Sequence, residues 1–254
     1  MKYYEQLLDK GCFTWNDVIE MVGNYNSAST LIQNYLNKGY IQSVKRNLYV
    51  AINLADGEPV VNRYVIASNI TDSAYISHHS ALEYYGITNQ VFYDVYVSSM
   101  TKFNTFNFNG LTYLYKMSRI NEGVIKNADG VRVTDLERTV IDSINDFEKI
   151  GGLEELLRSI EMLPYINEKL LLSYLRSYNK QFLFQKTGYI LGYFKDSLKL
   201  SDKFFETCEN EVSKSVRYLY HGLEKDNSIY NKQWSLIVPK KLLTIISKGD
   251  NEIV

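Results

Sequence analysis

Apolar residues over the first fifty positions recur at three- and four-residue intervals, punctuated by glycine, and then change to strand-like runs. Tyr4, Leu7 and Leu8 share one helical face, and Gly11 follows where a C-cap glycine stands. Thr14 with Asp17 three positions on predicts a second helix opened by a capping box, with Trp15, Val18, Ile19 and Val22 as its apolar face. Residues 23–26 read as a turn. A third helix is predicted over residues 27–38, ended by Gly39, with Ala28, Leu31, Ile32, Tyr35 and Leu36 facing a core. Residues 40–44 and 48–51 then predict two strands around Lys45, Arg46 and Asn47. Helix, helix, turn, helix and basic hairpin is the order of a winged helix-turn-helix, expected over residues 1–54.

The other face of that third helix carries Ser27, Ser29, Thr30, Gln33, Asn34 and Asn37. It is polar without charge, and Asn and Gln are the side chains that pair with adenine in a major groove. These six are the candidate base-edge contacts. Lys45 and Arg46, at the hairpin tip, are the candidate phosphate contacts.

Past a polar stretch at residues 53–59, which reads as a linker, the pattern mixes both periods. Residues 60–70 read as helical, 74–76 as a strand, and 77–86 as a capped helix closed by Gly86. Strands are predicted at 91–97 and 131–133, and residues 106–115 form a hairpin signal because Asn109-Gly110 suits a type I′ turn. Thr134 and Glu137 predict a capping box ahead of Val140 and Ile141. Residues 152–222 read as mainly helical, with breaks near Pro164 and Gly188, and a last strand at 234–238 precedes Pro239. The expected fold class is α+β: an N-terminal winged helix-turn-helix followed by a mixed α/β C-terminal domain, residues 60–254, with a helical second half.

Charge changes the picture once it is divided. The 254 residues carry a net −1, but residues 1–54 carry +1, 55–97 carry −4, 98–133 carry +3 and 134–254 carry −1. None is the footprint of a protein that coats nucleic acid, yet a modest DNA reader fits, binding paired half-sites to compensate for few cations. Lys102, Lys116, Arg119 and Lys126 in the +3 segment are candidate contacts to DNA backbone or to a partner. No apolar run reaches the ~18 residues of a membrane span. The first ten residues lack the apolar core of a secretory signal, and Cys12 and Cys208 have no metal-ligand spacing, so a cytoplasmic protein is expected. The 22 tyrosines match an AT-rich codon bias also visible in lysine and asparagine usage, with a base-stacking surface as the alternative.

Two constellations invite chemistry. His78-His79 could supply a metal ligand or a general base. The remaining histidine is His221, however, and adjacent helical residues point about 100° apart, so packing or surface contact is the competing explanation. Glu137, Arg138 and Asp142 could form a site, or could be a cap and an i,i+4 ion pair. There is no phosphate-loop glycine pattern, no G-x-S-x-G, no C-x-x-C, and no nucleotidyltransferase signature. No enzyme activity, catalytic residue, metal or cofactor is expected.

Taken together, the hairpin Lys45-Arg46-Asn47-Leu48-Tyr49, the block Tyr75-Ile76-Ser77-His78-His79-Ser80-Ala81-Leu82 with Gly86-Ile87-Thr88, and the block Val133-Thr134-Asp135-Leu136-Glu137-Arg138-Thr139-Val140-Ile141-Asp142 with Gly151-Gly152 resemble the AbiEi family, the antitoxins of bacterial type IV abortive-infection systems. The likeness runs from about residue 13 to residue 191, and residues 234–239 also fit. It implies two activities. The winged helix represses the operon's own promoter at inverted repeats in double-stranded DNA, with paired binding on the operator by a chain that can be monomeric in solution. The C-terminal domain counters a nucleotidyltransferase-like toxin without needing a stable complex, with His78 and His79 as candidate contacts. A ligand-sensing winged-helix transcription factor is the alternative, and an enzyme using His78 or His79 a third.

Overall fold

The first helix, α1 (Tyr4–Lys10), stops at Gly11, whose N–H returns to the Leu7 carbonyl. A short strand, β1 (Cys12–Thr14), follows, and Thr14 opens α2 (Trp15–Val22) with the expected capping box to Asp17. Helix α3 (Tyr25–Asn37) starts two residues before the predicted position, because Asn24 rather than a later residue is its cap, accepting from the Ser27 N–H at 2.9 Å. Strands β2 (Ile41–Lys45) and β3 (Leu48–Ala51) form the hairpin. With β1 they make a three-stranded antiparallel sheet in the order β1-β3-β2. Leu7, Phe13, Val18, Ala28, Ile32 and Ile41 are buried between helices and sheet. Each Leu, Val, Ile or Phe among them contributes roughly 1.5–3 kcal/mol over leaving it in water.

The computed structural model describes residues 3–88, 90–149, 151–212, 215–240, 242 and 244. Among them it is an α+β protein with ten α-helices and three sheets. The chain packs as two compact units. One is Met1–Ile76 with Phe92–Ser118 and Ile125–Val133; the other is Ser77–Val91 with Arg119–Val124 and Thr134–Val254.

Residues 53–59, expected as a linker, are a closed loop in the first unit. The Asn53 N–H donates to the Glu58 carbonyl at 2.8 Å, the Gly57 N–H to the Asn53 carbonyl at 2.8 Å, and the Val60 N–H to the Ala51 carbonyl at 3.0 Å. Asn53 and Asp56 side chains accept the Ala55 and Glu58 N–H groups, as Asx turns do. Only Arg63–Ser68 of the predicted 60–70 helix forms, as α4. The rest of this unit builds on β4 (Tyr75–Ile76), β5 (Asp94–Ser99), β6 (Phe106–Phe108), β7 (Leu111–Met117), β8 (Val124–Lys126) and β9 (Arg132–Thr134), in the sheet order β6-β7-β5-β4-β9-β8. The β6–β7 turn has Asn109 at φ 48° and Gly110 at φ 75°, the pair of positive values a type I′ turn requires.

The second unit is mainly helical: α5 (His78–Tyr84), α6 (Leu136–Asp146), α7 (Gly152–Glu161), α8 (Glu168–Tyr178), α9 (Gln181–Gly192) and α10 (Asp202–Asn210). A small sheet of β10 (Arg217–Tyr218), β11 (Ser228–Asn231) and β12 (Leu236–Pro239) has the order β10-β12-β11. Two predictions need correction. The cap of α6 is Asp135, accepting from the Arg138 N–H at 2.8 Å, while Thr134 bonds Thr139, so Glu137 is not half of a capping box. Gly188 does not break a helix either. It lies inside α9, where an added Cβ would stand 2.1 Å from the Trp234 ring. Its missing side chain is the space the indole occupies.

Candidate nucleic-acid interface

All six candidate base contacts lie on α3. At about 100° per residue, Ser27, Thr30, Asn34 and Asn37 form one row and Ser29 and Gln33 the row beside it. Ser27, Thr30, Gln33, Asn34 and Asn37 are exposed, Ser29 is half-buried, and Ala28, Ile32 and Tyr35 on the opposite face are buried. The Thr30 hydroxyl donates to the Asn26 carbonyl at 3.0 Å, which orients it along the helix. A shallow hollow of about 450 Å³ opens beside this face, lined by Tyr3, Val22, Asn26, Ser27, Thr30 and Asn34 among others. Tyr25, 64% exposed at the start of α3, has its ring 5.4 Å from that of Trp15. Tyr25 and Asn26 join the exposed start of α3 because Asn24 caps it two residues ahead of the predicted start, and an Asn at that position is the sequence signal for them.

The hairpin departs from expectation. Arg46 is exposed in the turn, but Lys45 is half-buried, and its ammonium donates to the Ile70 carbonyl at 3.4 Å. Arg132 donates to the carbonyls of Ser68, Thr71 and Asp72. These carbonyls lie at and beyond the end of α4, where a helix leaves acceptors unpaired and favours positive charge. Lys45 is thus tied to the end of α4, and Arg46 is the exposed cation of the turn. Asn47, at φ 64°, accepts the Trp15 N–H at 3.0 Å and ties the turn to the first residue of α2.

Within the first unit, Lys116 and Lys126 of the +3 segment stand apart in the six-stranded sheet. Lys116 on β7 directs its ammonium over the Tyr96 ring, 5.2 Å from the centroid. Lys126 is exposed on β8, four strands away in the sheet order, about 19 Å at the usual strand spacing. Lys102 is exposed after β5, and Arg119 is exposed in the second unit.

Both histidines are buried in the second unit. His78, at φ 55°, pairs Nδ1 with the Ser77 hydroxyl at 2.7 Å and places Nε2 3.6 Å from Asp146. His79 Nε2 lies 3.4 Å from Glu155, which also accepts from the Thr88 hydroxyl at 2.7 Å. The contact with His79 holds the Glu155 carboxyl below the ordinary carboxylate range, against the opposing effect of burial. Arg138 is wholly interior. Its Nε donates to Asp142 at 2.8 Å, and Nη1 to the Ile120 and Glu122 carbonyls at 3.2 and 2.6 Å; Tyr178 donates to the same Asp142 oxygen. Glu137 accepts the Asn167 N–H at 2.7 Å. These side chains fasten α5, α6, α7 and α8 to one another. Among the described residues no group of three or more His, Cys, Asp or Glu could hold a metal ion. Cys208 is buried, and burial pushes its thiol up to about 12. No described helix is long and apolar enough to cross a membrane.

Neither the protein-family models nor the curated proteins give a match to the chain. Among solved structures it is similar to the RV2827C protein from Mycobacterium tuberculosis, with a TM-score of 0.67 over 98% of this chain and 93% of that one, at 11% sequence identity. At that identity the likeness is one of fold.

Proposed function

We propose that residues 4–51 are a winged helix-turn-helix that reads duplex DNA, and that the chain is the antitoxin and autorepressor of a type IV abortive-infection system, countering a nucleotidyltransferase-like toxin. One observation carries the DNA reading. Helix α3 follows α2 across a short turn, stands beside a hairpin, and presents an exposed, uncharged row of Asn, Gln, Ser and Thr on the face away from the core. Such a row offers donors and acceptors to base edges with little of the non-specific attraction that lysines bring. The antitoxin half rests on the AbiEi resemblance of residues 75–88 and 133–142. In the second unit His78, His79 and Arg138 of those blocks pair with Asp146, Glu155 and Asp142. A ligand-sensing regulator is the second reading, favoured by a cation-lined cavity in the second unit.

The test pairs promoter binding with growth on co-expression of the toxin encoded beside this chain. A Gln33→Ala, Asn34→Ala variant is expected to lose its preference for operator over scrambled DNA, by about 1–3 kcal/mol for each bidentate base contact removed, and still to restore growth. An unchanged operator preference overturns the assignment of α3. Cells that stay arrested with the intact chain overturn the antitoxin, leaving the ligand-sensing regulator.

A further inference from the structure

We propose that the second unit holds a phosphate-binding cavity at the start of α9. The space, about 460 Å³, is lined by Asn145, Lys180, Gln181, Phe182, Lys186 and Arg217 together with two neighbours, and no acidic side chain is among its walls. Three cations thus line one cavity, Lys180 and Lys186 from α9 and its cap and Arg217 from β10, a grouping that no local motif announces.

Lys186 is the informative member. It is only 5% exposed, and its ammonium stands over the rings of Phe147 and Phe182, at 4.6 and 4.9 Å. No hydrogen bond or ion pair to it occurs among the described residues. Arg217 lies over the same Phe182 ring, 5.2 Å from its centroid, which brings a second positive charge beside the first. The acids that Lys186 feels are engaged elsewhere: Asp146 faces His78 at 3.6 Å, and Glu148 accepts the His221 N–H. Burial pushes the Lys186 ammonium down, against the pull of Glu148 and Asp146, so an anion in the cavity would favour its charged form. The helix contributes as well. Lys180 is the N-cap of α9 and makes no side-chain cap, so the amides of Gln181 and Phe182 have no acceptor among the described residues. An uncapped helix start, a guanidinium and a buried ammonium are together the donor set of a phosphoryl group.

That group could belong to a soluble phosphate ester or to a nucleic-acid backbone, and the probes separate the two. Thermal unfolding of the full chain is followed with low-millimolar inorganic phosphate or pyrophosphate against chloride at equal ionic strength, and with a short random-sequence duplex. A rise in midpoint of roughly 3 °C is expected with at least one phosphate probe. It should vanish in Lys186→Met, which keeps the buried volume, and in Arg217→Ala, which changes an exposed side chain. Protection by the inorganic anions assigns a soluble ligand; protection by the duplex alone, lost in both variants, assigns backbone phosphate. No rise with any probe, or a rise that persists in Arg217→Ala, overturns the site. The cavity draws no residue from α3, so its failure leaves the DNA reading standing and the converse also holds.

Discussion

Arg138 keeps its charge inside the protein because the Asp142 carboxylate and the Ile120 and Glu122 carbonyls surround it. Removing only the cation leaves Asp142 buried without its counterion, so Arg138→Met is expected to cost about 3–5 kcal/mol. Replacing both partners, Arg138→Met with Asp142→Leu, should recover a large part of that loss, since two apolar groups leave no unpaired charge. Urea unfolding of the single and double variants measures the difference, and equal losses would show that the unpaired Asp142 carboxylate is not what the single change costs. The i,i+4 spacing of this pair was legible in the sequence; its depth was not. The same limit governs Glu137, Lys45 and the histidines. Sequence spacing reports which neighbours a helix offers, while the Asn167 amide, the Ile70 carbonyl and the Glu155 carboxylate come from distant segments.

Elements whose signals are local were readable. The Thr14–Asp17 capping box, the Asn109-Gly110 turn and the glycine after α1 act within a few residues, and the structure has all three. Elements that depend on partners were missed, among them β1, which exists because β3 pairs with it, and β10 and β11, which flank β12. Gly188 shows the reversal most sharply. On helix propensity alone, Gly→Ala gains about 1 kcal/mol. In α9 the added methyl meets the Trp234 ring, which Gln185 also holds through a 2.9 Å bond to the Trp234 carbonyl. Gly188→Ala is therefore expected to destabilise by about 1–3 kcal/mol, as overpacking does. A raised melting temperature in calorimetry would mean that the indole moves aside without cost.

For the molecule as a whole, the expected boundary at residues 53–59 falls inside a compact unit that runs on to residue 76 and takes in residues 92–118 and 125–133. Residues 53–59 looked like a linker, but their ends are bonded to each other and Val60 bonds back to Ala51. A fragment of residues 1–62 is expected to exceed one of residues 1–54 in stability by about 1–3 kcal/mol, from a few backbone hydrogen bonds each worth roughly 1 kcal/mol. Coincident urea midpoints would show that the loop adds nothing. The anchoring of Lys45 has a further consequence for the proposed DNA complex. With that ammonium committed to the Ile70 carbonyl, the hairpin turn has Arg46 to offer the duplex, and each subunit displaces few of the ions condensed around DNA. Binding built this way owes little to entropy gained by liberated counterions. Its grip on the operator should persist at ionic strengths that strip lysine-rich proteins from the chromosome.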